Sequence, residues 1–318
     1  MKQHENMKEI SAGFRPVTNS PDLLARFLVR NYPVTPVTAC TDQALSVQDI
    51  AQCARIRAVG IGILGAEMVQ ILSRYLFEDI CCHEVIYCPE STGTEEMAAL
   101  ISLVKESDLV FILTGFDDEC CGVAACTIGH SAREAGILTL AIIPDNENIS
   151  QQNIAGLTEE DVPVFSVSEL SLSEKQNLTQ AEKYALTGYS MRHIVTAITN
   201  LICYRSLISI DFVDIDTTLR KGLIGRLGVG AASGQDKACK AAKLAFERLK
   251  SQGMSIFDFE DVLVIVQSSE QSDMDDWADV CKVIHESVVE GTSILIGHVI
   301  NELLGFADEI KVSVMAVR

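Results

Sequence analysis

The chain has 318 residues, 48% of them hydrophobic, with a mean hydropathy of +0.22, which is enough apolar material for one large core or two smaller ones in a fully folded α/β protein. A formal net charge of −19 with no offsetting basic patch argues against nucleic acid and anionic membrane as partners. No apolar run approaches the roughly 20 residues of a membrane-spanning helix. Eleven cysteines behind an N-terminus without a secretory pattern point to a reducing cytoplasm.

Residues 1–53 read as an N-terminal extension. They hold four of the seven prolines, Pro16, Pro21, Pro33 and Pro36, and no sustained period, with one short helix predicted over Leu23–Arg30 behind Ser20 or Asp22. The segment is expected to lie on the domain as an arm, with partner binding as the competing use.

From Arg55 the run RIRAVGIGILGAEMVQILSRYLF predicts a short strand, a glycine turn and an amphipathic helix. Gly60, Gly62 and Gly65 have the G-x-G-x-x-G spacing, which serves either a nucleotide phosphate or only a tight strand-to-helix turn. A dinucleotide site would next require an acidic residue about 20 positions on, at a strand end. Glu84 and Glu90 fall near that range without sitting at one, so an NAD(P)-dependent oxidoreductase has low weight. A second strand is predicted over His83–Cys88 and a second helix over Thr94–Lys105.

Ser107–Pro144 is the most informative stretch. Leu109–Thr114 predicts a strand, Gly122–Glu134 a helix and Leu138–Ile143 another strand, together a right-handed βαβ unit. Its loop leaves the carboxyl end of a strand, where glycine N–H groups at a helix N-terminus favour phosphate. Here that loop reads Gly115, Phe116, Asp117, Asp118, Glu119, Cys120, Cys121, Gly122, so three consecutive carboxylates stand where phosphate needs donors. The density of Asp117, Asp118, Glu119, Cys120, Cys121, Cys126 and His130 raises a metal site. Adjacent cysteines do not readily share one tetrahedral ion and no C-x-x-C occurs, so no metal is expected. After Pro144 a polar segment precedes a strand over Val164–Val167.

Apolar residues then repeat at three and four across Leu186, Met191, Ile194, Val195, Ile198, Leu201 and Ile202, which predicts a long helix within Ser171–Tyr204. The segment Leu207-Ile208-Ser209-Ile210-Asp211-Phe212-Val213-Asp214 follows, with Asp211 placed to cap a helix and Asp214 in its first turn. Strand, helix, strand and strand are predicted over Val262–Gln267, Met274–Val289, Ser293–His298 and Glu309–Val317.

Taken together, these segments resemble FtsZ, the bacterial cell-division relative of tubulin. Phe111–Gly136 matches its signature region without a gap. The positions of its GGGTGTG pattern fall on Asp117, Asp118, Glu119, Cys120, Cys121, Gly122 and Val123, so the frame is kept and nearly all the glycines are lost. The segment around Asp211 resembles N-V-D-F-A-D, the loop that in FtsZ enters the nucleotide pocket of the next subunit and positions the attacking water. Ser209 replaces the asparagine, while Asp211 and Asp214 remain. GLIGRLGVGAASGQDKACKAAKLAFERL resembles the strand, turn and helix that follow.

The resemblance implies an α/β, FtsZ/tubulin-like fold: a Rossmann-like parallel-sheet domain over 54–170, a central helix region over 171–205 and an α+β, activation-type domain over 206–318. It also implies nucleotide contacts at Gly60, Gly62, Gly65, Gly115 and Gly122 if the site is retained. The aspartate that in FtsZ holds the guanine base falls on Gly188 or Tyr189, so a base-reading carboxylate is absent. The expectation is a pseudo-GTPase without a bound cofactor. It would cap or pair with FtsZ or another FtsZ-like subunit through Asp211 and Asp214, acting in trans if at all. The competing reading is an active, self-polymerising GTPase whose acidic loop takes GTP through Mg. The resemblance further implies no C-terminal tail for membrane anchors, hence no direct membrane binding.

Overall fold

Five short strands, each followed by a helix, build the first half of the sheet. The computed structural model describes residues 54–75, 80–85, 95–116, 119–145, 151–167, 180–203, 206–253, 260–269, 272, 274–300 and 308–318. The N-terminal extension, the predicted helix over Leu23–Arg30, Glu90, Asp117 and Asp118 lie outside the described residues.

The elements are β1 (Ile56–Ile61), α1 (Gly62–Tyr75), β2 (Ile80–Val85), α2 (Glu95–Lys105), β3 (Leu109–Thr114), α3 (Glu119–Glu134), β4 (Leu138–Pro144), α4 (Gln151–Thr158) and β5 (Val164–Val167). Then come α5 (Gln180–Cys203), β6 (Ser206–Ile208), α6 (Phe212–Lys221), β7 (Ile224–Ser233), α7 (Lys237–Ser251), β8 (Asp261–Ser268), α8 (Met274–Ser287), β9 (Ser293–Ile300) and β10 (Glu309–Val317). All ten strands form one sheet in the order β2-β1-β3-β4-β5-β7-β10-β8-β9-β6. β1 to β5 are parallel, and β10 runs antiparallel between β7 and β8. The fold is α/β, a mostly parallel sheet with helices on both faces.

The two halves meet in the sheet itself. Val164, Phe165 and Ser166 of β5 pair in parallel with Ile224, Gly225 and Arg226 of β7. Gly225 fits because the Phe165 ring lies over it, 2.3 Å from where a Cβ would stand. Strand alternation divides the core into layers. Ile56 and Ala58 belong to the layer that holds the buried faces of α1, α5 and α6, whereas Val59 and Ile61 belong to the layer of α2, α3 and α4. In the second half α7 and α8 cover the face formed by Val262, Val264, Val312 and Val314. β3, β4 and β8 are buried at every position, which explains their continuous apolar sequence in place of alternation.

Three elements differ from expectation. α3 begins at Glu119, not Gly122, so Glu119, Cys120 and Cys121 form its first turn and are helical. The polar segment after Pro144 contains α4, a helix whose periodicity is faint because Leu157 is its only buried residue. The second strand is also shifted toward the N-terminus, to Ile80–Val85.

Candidate functional site

The carboxyl ends of the parallel strands align. Ile61 of β1 sits opposite Thr114 of β3, Leu113 opposite Ile142 of β4, and Pro144 opposite Val167 of β5. Helices α1, α3 and α4 therefore start at one edge, where ligands bind in open α/β sheets.

At β1 the strand passes directly into the helix. Gly62 has φ +74 and makes the turn alone. A Cβ on Gly60 would stand 2.2 Å from the Gly65 carbonyl oxygen, and one on Gly65 would stand 2.1 Å from the Leu113 carbonyl oxygen. Gly60 and Gly65 are thus required by the contact of α1 with β1 and β3, and their spacing is accounted for without a ligand. The next residue in the turn, Ile63, is 59% exposed, a bulky side chain in front of the helix N-terminus.

At β3, Gly115 and Phe116 lead toward α3. Phe116 adopts φ 52, a left-handed conformation unusual for an aromatic residue, with its N–H donating to Thr114 Oγ1 at 3.1 Å. Glu119 is exposed in the first turn of α3, Cys120 is half-buried and Cys121 is buried. The helix dipole that would attract an anion is already met by Glu119. Gly122 is buried against α4, where a Cβ would come within 2.9 Å of Asn153 Oδ1.

Cys126 Sγ lies against Gly156, and α4 is clamped further along by ion pairs. Glu160 accepts from Arg133 at 3.1 Å and contacts His130 Nδ1 at 3.0 Å, while His130 Nε2 is 3.5 Å from Glu134. His130 is engaged with carboxylates, and among the described residues no group of three His, Cys, Asp or Glu side chains is placed to hold a metal ion. Burial, with Glu160 and Glu159 nearby, raises the Cys126 thiol above its ordinary value.

Of the two positions matched to the base-holding aspartate, Gly188 is covered by the end of the Met68 side chain. A Cβ on Gly188 would stand 2.6 Å from Met68 Sδ, so α1 and α5 touch where that carboxylate would project.

The second group of residues lies at the other end of α5. From Gly188 to Leu201 the helix advances by about 20 Å. Leu201 and Ile210 both cover Gly297 of β9, which fastens the segment before α6 to that end. Asp211 caps α6: its carboxylate accepts from the Val213 N–H at 3.0 Å, and its carbonyl accepts from Ile215. Inward Ile210, Phe212 and Ile215 alternate with outward residues. The outward set is Asp211, Asp214, Leu207 at 52% exposure and Val213 at 65%. Asp211 and Asp214 are thus brought together on one exposed surface, remote from Gly60, Gly62, Gly65, Gly115 and Gly122.

Sequence reasoning missed Asn153 and Glu159 on the α4 side of α3, and missed the apolar pair Leu207 and Val213. For α4 the available signal was Ile154 and Leu157 at helical spacing. For the apolar pair it was their alternation with Ile208, Ile210 and Phe212.

No protein-family model matches the chain. The cell division protein FtsZ of Aquifex aeolicus is 26% identical over 221 residues, 66% of this chain and 60% of that protein. The FtsZ of Mycoplasmopsis pulmonis is 27% identical over 237 residues, 71% of this chain and 60% of that protein. The chain thus spans about 60% of the length of these curated relatives. Among solved structures, an empty FtsZ dimer from M. jannaschii superposes with a TM-score of 0.71 at 18% identity, covering 86% of this chain and 93% of that one. CetZ from Methanosaeta thermophila gives 0.62 at 13% identity, covering 83% and 86%. With the sheet order, the central helix and the capped Asp211 segment already described, these likenesses lead to one conclusion: the chain is a divergent FtsZ/tubulin-like protein.

Proposed function

We propose that the protein is a pseudo-GTPase, an FtsZ-like subunit that does not hold GTP tightly and acts by joining an FtsZ-type partner through its Asp211 surface. The observation that carries this reading is the first turn of α3. Glu119 occupies the helix N-terminus where a phosphate would be received, and Asp117 and Asp118 precede it in sequence. One like-charge pair about 4 Å apart costs on the order of 1 kcal/mol in water and more in a cleft of lower dielectric. The lost glycine N–H donors no longer offset that cost. The packing roles of Gly60 and Gly65, and the Met68 side chain at Gly188, add to the same side.

The partner surface rests on the opposite contrast. Asp211 and Asp214 are exposed, as are Leu207 and Val213 of the same segment, a mix of carboxylate and apolar side chains suited to a protein contact. The FtsZ of M. jannaschii has been solved as a dimer, and head-to-tail contacts of this fold need two different faces. A subunit competent at one face joins an end and blocks growth there. The reading predicts that substoichiometric amounts suppress light scattering by a polymerising FtsZ and that the protein co-sediments with it. Val213→Asp should abolish both effects. Failure to co-sediment at equimolar ratio would contradict the reading.

A further inference from the structure

We propose that the space where α5 meets β10, beside the part of β7 that extends past β5, binds a tetrahedral oxyanion of the phosphate class through Lys311, Arg192 and Arg248. The site is separate from the starts of α1 and α3 and does not depend on the pseudo-GTPase reading. It arises because β7 outruns its neighbour. β7 pairs with β5 only at Ile224, Gly225 and Arg226, and beyond them it runs on to Ser233 paired with β10.

Side chains from α7 reach this extension of β7. Gln252 Nε2 donates to the Leu227 carbonyl at 2.8 Å, and Arg248 Nη1 donates to the Val229 carbonyl. Ser313 of β10 sits opposite Val229, and its hydroxyl is 2.9 Å from His193 Nε2 of α5. These contacts fix α5 and α7 at the same level of the sheet. Arg192 precedes His193 on α5, and Lys311 lies two residues from Ser313 on the same face of β10, about 7 Å along the strand. Three cationic side chains from three elements thus gather around Ser313. Each belongs to a half-buried residue, so the cluster is reachable from solvent.

The charge balance of the cluster runs against that of the chain, in which 44 acidic residues outnumber 25 basic ones. Its acidic neighbour is Glu309, two residues further along the same face of β10, and it does not reach the amine. Among the described residues Lys311 forms no ion pair or hydrogen bond. Arg192 and Arg248 have contacts of their own, so the opening for a ligand is at the ammonium. A partly buried ammonium costs free energy unless it is paired. Packing does not call for a cation here, since Ser313, Met315 and Val317 on the same face of β10, and Gln267 opposite Lys311 on β8, are all neutral. Burial, with Arg192 and Arg248, brings the Lys311 amine down to about 8 against the opposing pull of Glu309. A dianion among the three groups supplies the missing acceptor, and guanidinium with ammonium suits its tetrahedral oxygens.

Because an anion favours the ammonium, affinity should be level below about pH 8 and fall above it, by up to about tenfold per pH unit, with a proton taken up as the anion binds. His193, held well below 6.5, stays neutral across this window. The experiment is calorimetric titration of the full chain with sulfate, which does not itself titrate there, from about pH 7 to about pH 9 at constant ionic strength. Buffers of different ionisation heat report the proton uptake, and inorganic phosphate is titrated alongside. Lys311→Met should weaken binding of both anions by at least about tenfold. Lys311→Arg should keep the affinity and lose its pH dependence, because a guanidinium stays charged. Lys105→Met, at an exposed lysine of α2, should leave binding unchanged. Melting temperatures without anion, no lower than that of the natural chain, check that the variants fold. Equal affinity in the natural chain and Lys311→Met, an affinity indifferent to pH in the natural chain, or no binding heat with either anion would each overturn the proposal.

Discussion

Asp211 has a capping role in the structure and a partner-binding role in the proposal above, and the two are separable. As the cap of α6 it satisfies the Val213 N–H. Asp211→Ala should cost about 1 kcal/mol in a urea titration, whereas Asp211→Asn, which keeps an oxygen acceptor, should cost only a few tenths. If the carboxylate also serves the partner surface, the asparagine variant loses co-sedimentation at nearly unchanged stability. Equal partner binding by both chains would leave Asp211 as a cap alone.

Two buried histidines give the protein a pH dependence whose sign follows from their surroundings. His193 Nε2 is 2.9 Å from Ser313 Oγ, and His298 Nε2 is 2.6 Å from Ser268 Oγ with its ring stacked on Trp277. Burial is the main cause that lowers both below the ordinary value of 6.5, His193 well below, with Lys311, Arg192 and Arg248 adding to the effect there. The unfolded chain then takes up protons that the folded one refuses. Stability contributed by the neutral rings is present above about pH 6.5 and falls as pH drops below it. Urea midpoints should decline from pH 7 to 5, and His193→Gln with His298→Gln should flatten the decline. A slope unchanged by the double substitution would refute the assignment.

At the level of elements, the contact of α1 with α5 decides whether a base-reading carboxylate can be restored. Gly188→Asp should destabilise the protein by about 1–3 kcal/mol, because its Cβ would stand 2.6 Å from Met68 Sδ and the thioether end of that side chain must turn aside. Met68→Ala in the same chain should recover part of that loss by making room. A fully stable Gly188→Asp variant, measured by thermal unfolding, would show that the helices separate more easily than their packing implies.

Much of this level was legible in the amino-acid sequence. β3 and β4 announced themselves by unbroken apolar runs because both faces are buried, and the last strand falls on Glu309–Val317 as its pattern predicts. The start of α3 was less visible, since Glu119, Cys120 and Cys121 have no apolar period and read as loop. α4 was hidden for the same reason: a helix lying on the surface with one buried residue leaves almost no trace. The candidate site divides similarly. The pattern identified Gly60, Gly62 and Gly65, but a spacing common to phosphate loops and tight packing does not disclose which use it serves. That required the position of the Gly65 and Leu113 carbonyls. The exposure of Leu207 and Val213 depends on which face of the segment meets β9, a matter of tertiary contact.

At the scale of the molecule, one ten-stranded sheet joins the half with the acidic helix start to the half with the exposed Asp211 surface, and a 24-residue helix holds them apart. Among the described residues no helix is long and apolar enough to cross a membrane. A head-to-tail fold needs both ends, and the account gives this chain one end suited to a partner and one unsuited to phosphate. The most direct test is calorimetric titration of nucleotide-free protein with GTP and GDP, with and without magnesium. The account predicts no binding heat and no nucleotide carried through purification. Micromolar or tighter binding of GTP would contradict it.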